Sequence, residues 1–193
     1  MTLLKLSRRA VVLVLSPFAL MPMATVGRGR DLAKAASAAS ALLKKYEFLK
    51  ANGNSNCSSE FLESISSMSN EARLQGSCCA EMDPHRYVEQ IDALREYVRI
   101  PEIPPDPYDI SAELAKKLIA SYDNSLTQTQ QSVYEYAMSY SDEKGPCCCQ
   151  CWRWKVYGGL GKYLIQAKGF DGKQLVDVWN SSNGCGGGAE HRH

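Results

Sequence analysis

Four cysteines fall within five consecutive positions in Pro146-Cys147-Cys148-Cys149-Gln150-Cys151-Trp152, and the chain has eight in all. This run constrains the fold more than any other feature. Each disulfide needs its own Cα separation and torsion, and neighbouring side chains diverge, so three adjacent cysteines are awkward material for structural bridges. Three spacings overlap in the run. Cys147, Cys149 and Cys151 alternate, as a loop chelating a small soft ion needs. Cys148 and Cys151 make a CxxC, and Cys147 and Cys151 lie one turn apart on a helix. Gly145-Pro146 breaks the preceding segment, and a helix restarting at Pro146 would hold all four thiols in its first turn. There the unpaired N–H groups and the helix dipole favour thiolate.

The remaining cysteines are Cys57 in a polar stretch, the adjacent pair Cys78 and Cys79, and Cys185 among glycines. Asp83-Pro84-His85 follows the pair closely, which makes His85 a candidate ligand, although such a trio is more often an N-cap Asp and N1 Pro opening a helix with a surface His.

The periodicity predicts an all-α fold of six to seven short helices, with the cysteine cluster at the start of a C-terminal helix. Leu32, Ala35, Ala36, Ala39, Leu42, Leu43 and Tyr46 recur at helical spacing before Asn52-Gly53. Phe61, Leu62, Ile65 and Met68 mark a second helix. Tyr87, Val88, Ile91, Leu94 and Val98 mark a third, behind Asp83-Pro84. Four prolines between Ile100 and Tyr108 demand an extended connector. Leu114, Leu118 and Ile119 lie on a fourth helix. Thr127 with Gln130 and Asp171 with Gln174 form capping boxes for two more, the second ending at Asn183-Gly184. The helix after Pro146 carries Trp152, Val156, Leu160, Tyr163 and Leu164. Gly158, Gly159 and Gly161 within it either kink it or admit another backbone. No segment alternates apolar and polar residues long enough to read as a strand.

The first 24 residues read as an export signal. Lys5, Arg8 and Arg9 precede an apolar run from Val11 to Ala24 that is too short to span a bilayer comfortably. Ser7-Arg8-Arg9 is similar to a twin-arginine signal, with Val11 where that signal usually has Phe. The expected organisation is therefore a signal over 1–24, one helical domain over 25–184 and a Gly/His-containing tail over 185–193. Export implies a periplasmic or cell-envelope location, where paired cysteines tend to form disulfides and clustered thiolates bind soft metals. Membrane association is expected only through an uncleaved signal.

The net charge of +1 gives no footprint for nucleic acid, and without the signal the chain holds 19 basic and 21 acidic residues. There is no Ser/His/Asp pattern, no pair of carboxylates at catalytic spacing and no strand before the glycines at 158–161 to support a nucleotide loop.

Pro146-Cys147-Cys148-Cys149-Gln150-Cys151 resembles the motif of the PCYCGC family, small extracytoplasmic bacterial proteins of unsettled function. The likeness covers roughly residues 127–188. It includes Val133–Met138 upstream and the later Trp179…Gly184-Cys185-Gly186. The family cysteines fall on Cys147, Cys149 and Cys151, whereas Cys148 stands at the family's Tyr, Gln150 stands at its Gly, and its lipobox is missing. Cys-Cys-x-Cys is also reminiscent of the mitochondrial intermembrane-space copper-chaperone motif, though without the paired Cx9C spacings.

The function expected from these residues is non-catalytic binding of a soft metal ion, with Cu(I) first, Zn(II) second and Hg(II) or another thiophilic ion open. Cys147, Cys149 and Cys151 are the primary ligands, Cys148 an auxiliary one and Cys185 a closing one. Cys78 and Cys79 come next, as further ligands or a second site, and Cys185 or His85 would complete a zinc site. A Cys185–His191 clamp is a weaker option. The alternative is a helical module stapled by four disulfides that binds a protein partner in the envelope. A thiol–disulfide oxidoreductase using Cys148 and Cys151 is third, because the strand–helix alternation of a thioredoxin-like domain is missing.

Overall fold

A computed structural model describes residues 26–186, with side chains from 31 onward. The proposed signal over 1–24 and the histidines at 191 and 193 lie outside the described residues. The chain divides into two units, 1–37 and 38–193, and the elements that build the site all belong to the second. Among the described residues, no helix is long and apolar enough to cross a membrane.

The expected all-α architecture is observed. Seven α-helices run in order among the described residues, α1 (Val26–Ala51), α2 (Ser59–Ile65), α3 (Pro84–Leu94), α4 (Ala112–Tyr122), α5 (Gln128–Tyr140), α6 (Trp152–Tyr163) and α7 (Gly172–Ser182). Capping sets most of the starts. Asp83 accepts from the Arg86 N–H with Pro84 at the first helical position. Thr127 with Gln130 and Asp171 with Gln174 close reciprocal capping boxes, each such cap contributing about 1 kcal/mol. Ser58 and Ser111 cap α2 and α4 with one bond each, accepting from the Phe61 and Leu114 N–H groups.

Two short strands, β1 (Arg73–Gln75) and β2 (Asp109–Ser111), pair antiparallel with Leu74 opposite Ile110. They escaped the sequence reading because three residues are too few to show a period of two. The proline-rich connector leads into β2 and is buried along much of its length, with Glu102, Ile103, Asp106 and Tyr108 all inside.

Helix α6 is the centre of the molecule. Trp152, Val156, Tyr157 and Leu160 are fully buried, and so are Arg153, Gly158, Gly159 and Gly161. A helix enclosed on all sides needs apolar or small residues around its whole circumference. The glycines do not serve as a kink signal here; they admit neighbours. A Cβ on Gly159 would land on the Leu118 carbonyl of α4, and one on Gly161 would meet the Trp179 and Leu175 side chains of α7. The helix continues through a π-helical turn, Leu164–Lys168, and stops at Gly169 in the left-handed region.

Within the second unit, the part of the apolar stripe of α1 that is buried lies near its end: Leu43 is 51% exposed, while Tyr46 and Leu49 are buried. Those two join Met82, Tyr87 and Tyr108 in a small second core, pinned by a hydrogen bond from the Tyr46 hydroxyl to the Met82 carbonyl (2.7 Å).

Candidate metal centre

Four separate segments deliver cysteines to one place, and backbone hydrogen bonds hold each segment. The loop after α1 carries Cys57. It is zipped onto β1 by Asn54, whose side chain donates to the Arg73 carbonyl and accepts from the Gln75 N–H. Gly53 and Gly76 make a close backbone crossing there, since a Cβ on Gly76 would sit 2.6 Å from the Gly53 Cα. Gly76 has a φ of 78°, which turns the chain from β1 into Cys78 and Cys79. The N–H groups of Cys79 and Ala80 then donate to the Cys185 carbonyl at 3.2 and 2.9 Å. Cys185 follows α7, and its own N–H donates to the Asn183 side chain.

The fourth segment is the cysteine run. It is a loop and not the first turn of a helix: α6 begins at Trp152, with Cys151 at its N-cap in extended backbone. This corrects the expected helix start at Pro146. Successive residues of an α-helix point about 100° apart, which would scatter four thiols around the axis. The looped run instead turns them towards the other segments, helped by a hydrogen bond from the Cys151 N–H to the Cys149 carbonyl (2.9 Å).

All eight sulfurs meet in a single cluster. Cys185 Sγ lies 2.9 Å from both Cys147 Sγ and Cys148 Sγ. Cys79 Sγ lies 3.0 Å from Cys57, 3.5 Å from Cys149, 3.6 Å from Cys148 and 3.7 Å from Cys78. Cys57 and Cys149 are 3.3 Å apart. Cys151 joins through two triads of sulfurs within 4.8 Å of one another, Cys57–Cys78–Cys151 and Cys147–Cys149–Cys151. None of the eight is bonded to another, and a disulfide would hold two sulfurs at about 2.05 Å. The contacts run from one sulfur to several and do not separate into four pairs.

Every expected cysteine ligand is therefore present, and Cys78 and Cys79 belong to the same cluster as Cys147–Cys151 instead of forming a second site. His85 is not in the cluster. It is exposed on the first turn of α3, where Tyr87, Gln90 and Leu94 are the residues that face inward. Cys57 is the member of the cluster that the sequence reading passed over as a metal ligand. Its only local signal is its identity, because the loop holding it docks through non-local bonds to β1.

Burial grades the cluster. Cys147, Cys151 and Cys185 are buried, Cys57, Cys78, Cys148 and Cys149 are half-buried, and Cys79 is exposed. Cys78 and Cys79 line an open groove of about 380 Å³ bordered by Leu49, Lys50, Glu81 and Met82.

Arg153, two residues after Cys151, is completely buried. Its guanidinium donates to the carbonyls of Pro107 and Gly76, the latter at 2.7 Å, and lies 4.5 Å from the Trp152 ring. Its Nε has no hydrogen-bond partner, and no carboxylate among the described residues pairs with it. A buried permanent cation costs several kcal/mol unless an anion answers it. Burial works against its charge, and the Cys78 sulfur is foremost among the neighbours that favour it, ahead of Tyr157, Cys147 and Cys185. Hydrogen bonds from Cys147, Cys151 and Cys185, with Arg153 alongside, hold the Cys78 thiol well below the usual range. A hydrogen bond from Cys147 lowers Cys149 to about 5 and Cys148 to about 7. Hydrogen bonding to Cys148, Cys149, Cys151 and Cys185 pushes Cys147 up, and burial pushes up Cys57 and Cys79. The sulfurs lie close enough together to share a soft cation.

No family model, curated protein or solved structure matches the chain. The arrangement of the residues themselves defines a cysteine-rich helical protein with a cluster able to hold a metal ion.

Proposed function

We propose that this chain is an exported, non-catalytic binder of soft metal, with Cu(I) as the preferred cargo and Zn(II) second, serving metal handling or delivery in the bacterial cell envelope. The observation that carries this reading is the convergence of all eight sulfurs from four segments, with no nitrogen or carboxylate ligand in any of the ligand triads. An all-thiolate donor set selects soft ions, and among biological metals Cu(I) is satisfied by about two or three thiolates without demanding a tetrahedron. The twin-arginine resemblance fits export of a protein already folded around its cargo, and the PCYCGC resemblance fits an extracytoplasmic setting.

The second reading is a disulfide-stapled helical module that binds another protein. It draws on the Cys147–Cys185 and Cys57–Cys79 pairs, whose sulfurs are 2.9 and 3.0 Å apart and would need little movement to bond. Complete oxidation would leave Arg153 buried with no anion, which is why the metal reading is preferred.

The test is competition under anaerobic conditions. Fully reduced, metal-free protein is mixed with Cu(I) held by a chromophoric chelator, and separately with Zn(II) held by another. The expected result is withdrawal of copper from its chelator and displacement of zinc by copper. Retention of both metals by the chelators would overturn the reading.

A further inference from the structure

We propose that the eight cysteines hold several Cu(I) ions together as one polynuclear cluster with shared thiolates, rather than one ion in a three- or four-ligand site. The proposal rests on the soft-metal reading above and adds to it the nuclearity of the centre.

The sulfurs form overlapping triads, each with its three atoms within 4.8 Å of one another. Five are Cys57–Cys78–Cys151, Cys57–Cys79–Cys149, Cys78–Cys79–Cys185, Cys147–Cys149–Cys151 and Cys147–Cys148–Cys185. Cys79–Cys148–Cys185 is another, with Cys148 3.6 Å from Cys79 and 2.9 Å from Cys185. A trigonal ion with metal–sulfur bonds of about 2.3 Å needs sulfurs about 4.0 Å apart. The closest of these sulfurs, 2.9 Å apart, would separate by about 1 Å to take an ion. Every cysteine belongs to more than one triad, and neighbouring triads share one or two sulfurs. That is the connectivity of a cluster in which neighbouring ions are joined by bridging thiolates.

A mononuclear site cannot use this arrangement. One Cu(I) takes about two or three thiolates, which would leave most of the sulfurs packed together with no role, several of them buried. Eight sulfurs at three per ion complete about two ions if every thiolate is terminal and about five if every one bridges, so shared thiolates give about three to five. Loading exchanges protons for metal: each ligand thiol releases its proton to solvent as its sulfur binds, and copper enters and remains as Cu(I), with no electron transferred. At any filling in that range the thiolates outnumber the cations, so the cluster carries net negative charge. Arg153, completely buried, bonded to the Pro107 and Gly76 carbonyls and paired with no carboxylate among the described residues, is the fixed cation that such an anion requires.

The experiment is an anaerobic titration of the reduced full chain with Cu(I) in the presence of a weak competing ligand, followed by X-ray absorption on the loaded protein. The expected result is a breakpoint at about three to five copper ions per chain, about three sulfur neighbours per copper and a copper–copper scattering shell. A breakpoint at one ion with no copper–copper shell would overturn the polynuclear cluster while leaving copper binding intact. Absence of any uptake would overturn both.

Discussion

The sulfur of Cys57 lies 3.3 Å from the sulfur of Cys149, although ninety-two positions separate them in the chain. The contact exists because the loop after α1 is tied to β1 and the cysteine run is looped ahead of α6, so that two segments with no local relation face each other. Cys57 belongs to two of the ligand triads, and His85 to none. The Cys57→Ser variant should therefore lose about one or two of the bound copper ions, while His85→Ala should match the wild type. Metal analysis of the two variants, loaded side by side, checks this. Equal loss in both would refute the ligand assignment.

Arg153 should set the pH range over which metal is held. An adjacent cation favours thiolate, and metal binding requires thiolate, so acid releases the metal as protons recapture the sulfurs. Replacing Arg153 with Met removes the cation and makes deprotonation harder. The pH of half-release should then rise by about one unit or more. Copper retention measured across a pH series gives the midpoint, and circular dichroism of each variant confirms that the helices persist. An unchanged midpoint in a folded variant would show that the guanidinium does not act on the cluster.

Helix α6 holds both Cys151 and Arg153, so its seating against α4 fixes the site. Gly159→Ala places a methyl group on the Leu118 carbonyl, a rigid backbone atom, and overpacking of this kind costs about 3 kcal/mol or more. Denaturant unfolding of the metal-free protein should show the loss. The same substitution at Gly169, where φ is +68° and nothing lies within 4 Å, should cost only about 1 kcal/mol from backbone strain.

Asp109 fastens the base of the metal-free fold. It accepts from Arg73 Nε at 2.7 Å and pairs with Lys45 at 3.1 Å, joining β2 to β1 and α1. Burial works against its charge, but the hydrogen bonds and charges of Arg73 and Lys45 prevail and hold its carboxyl below the usual value. A depressed folded-state pKa gives stability that is complete above the unfolded value, about 3.9, and is lost as pH falls through the folded value. Asp109→Asn should cost about 2 kcal/mol at pH 7. The gap between variant and wild type should shrink as the pH drops below about 4. Denaturant midpoints at pH 7 and pH 3 check both statements.

Much of this architecture is legible locally. Asp83-Pro84, Thr127 with Gln130 and Asp171 with Gln174 announce helix starts through short-range hydrogen bonding, and all three form as read. The cysteine run marks the metal centre because adjacent thiols suit ligation better than bridging. What is not legible depends on contacts distant in sequence. The strands β1 and β2 are too short to leave a periodic trace, yet β1 positions both Cys57 and Cys78. The helix expected from Pro146 gives way to a loop because tertiary gathering of the sulfurs overrides the local signal. Arg153 reads as an ordinary polar residue until the Pro107 and Gly76 carbonyls and the sulfurs enclose it.

Whether the eight cysteines form one metal-holding cluster is tested most directly by elemental analysis of the protein isolated from its native host without reductant, with a count of free thiols in denaturant before and after metal removal. Several copper ions per chain are expected, with eight thiols titratable once the metal is removed. A chain with no metal and no titratable thiol would carry four disulfides, and the metal cluster would be contradicted.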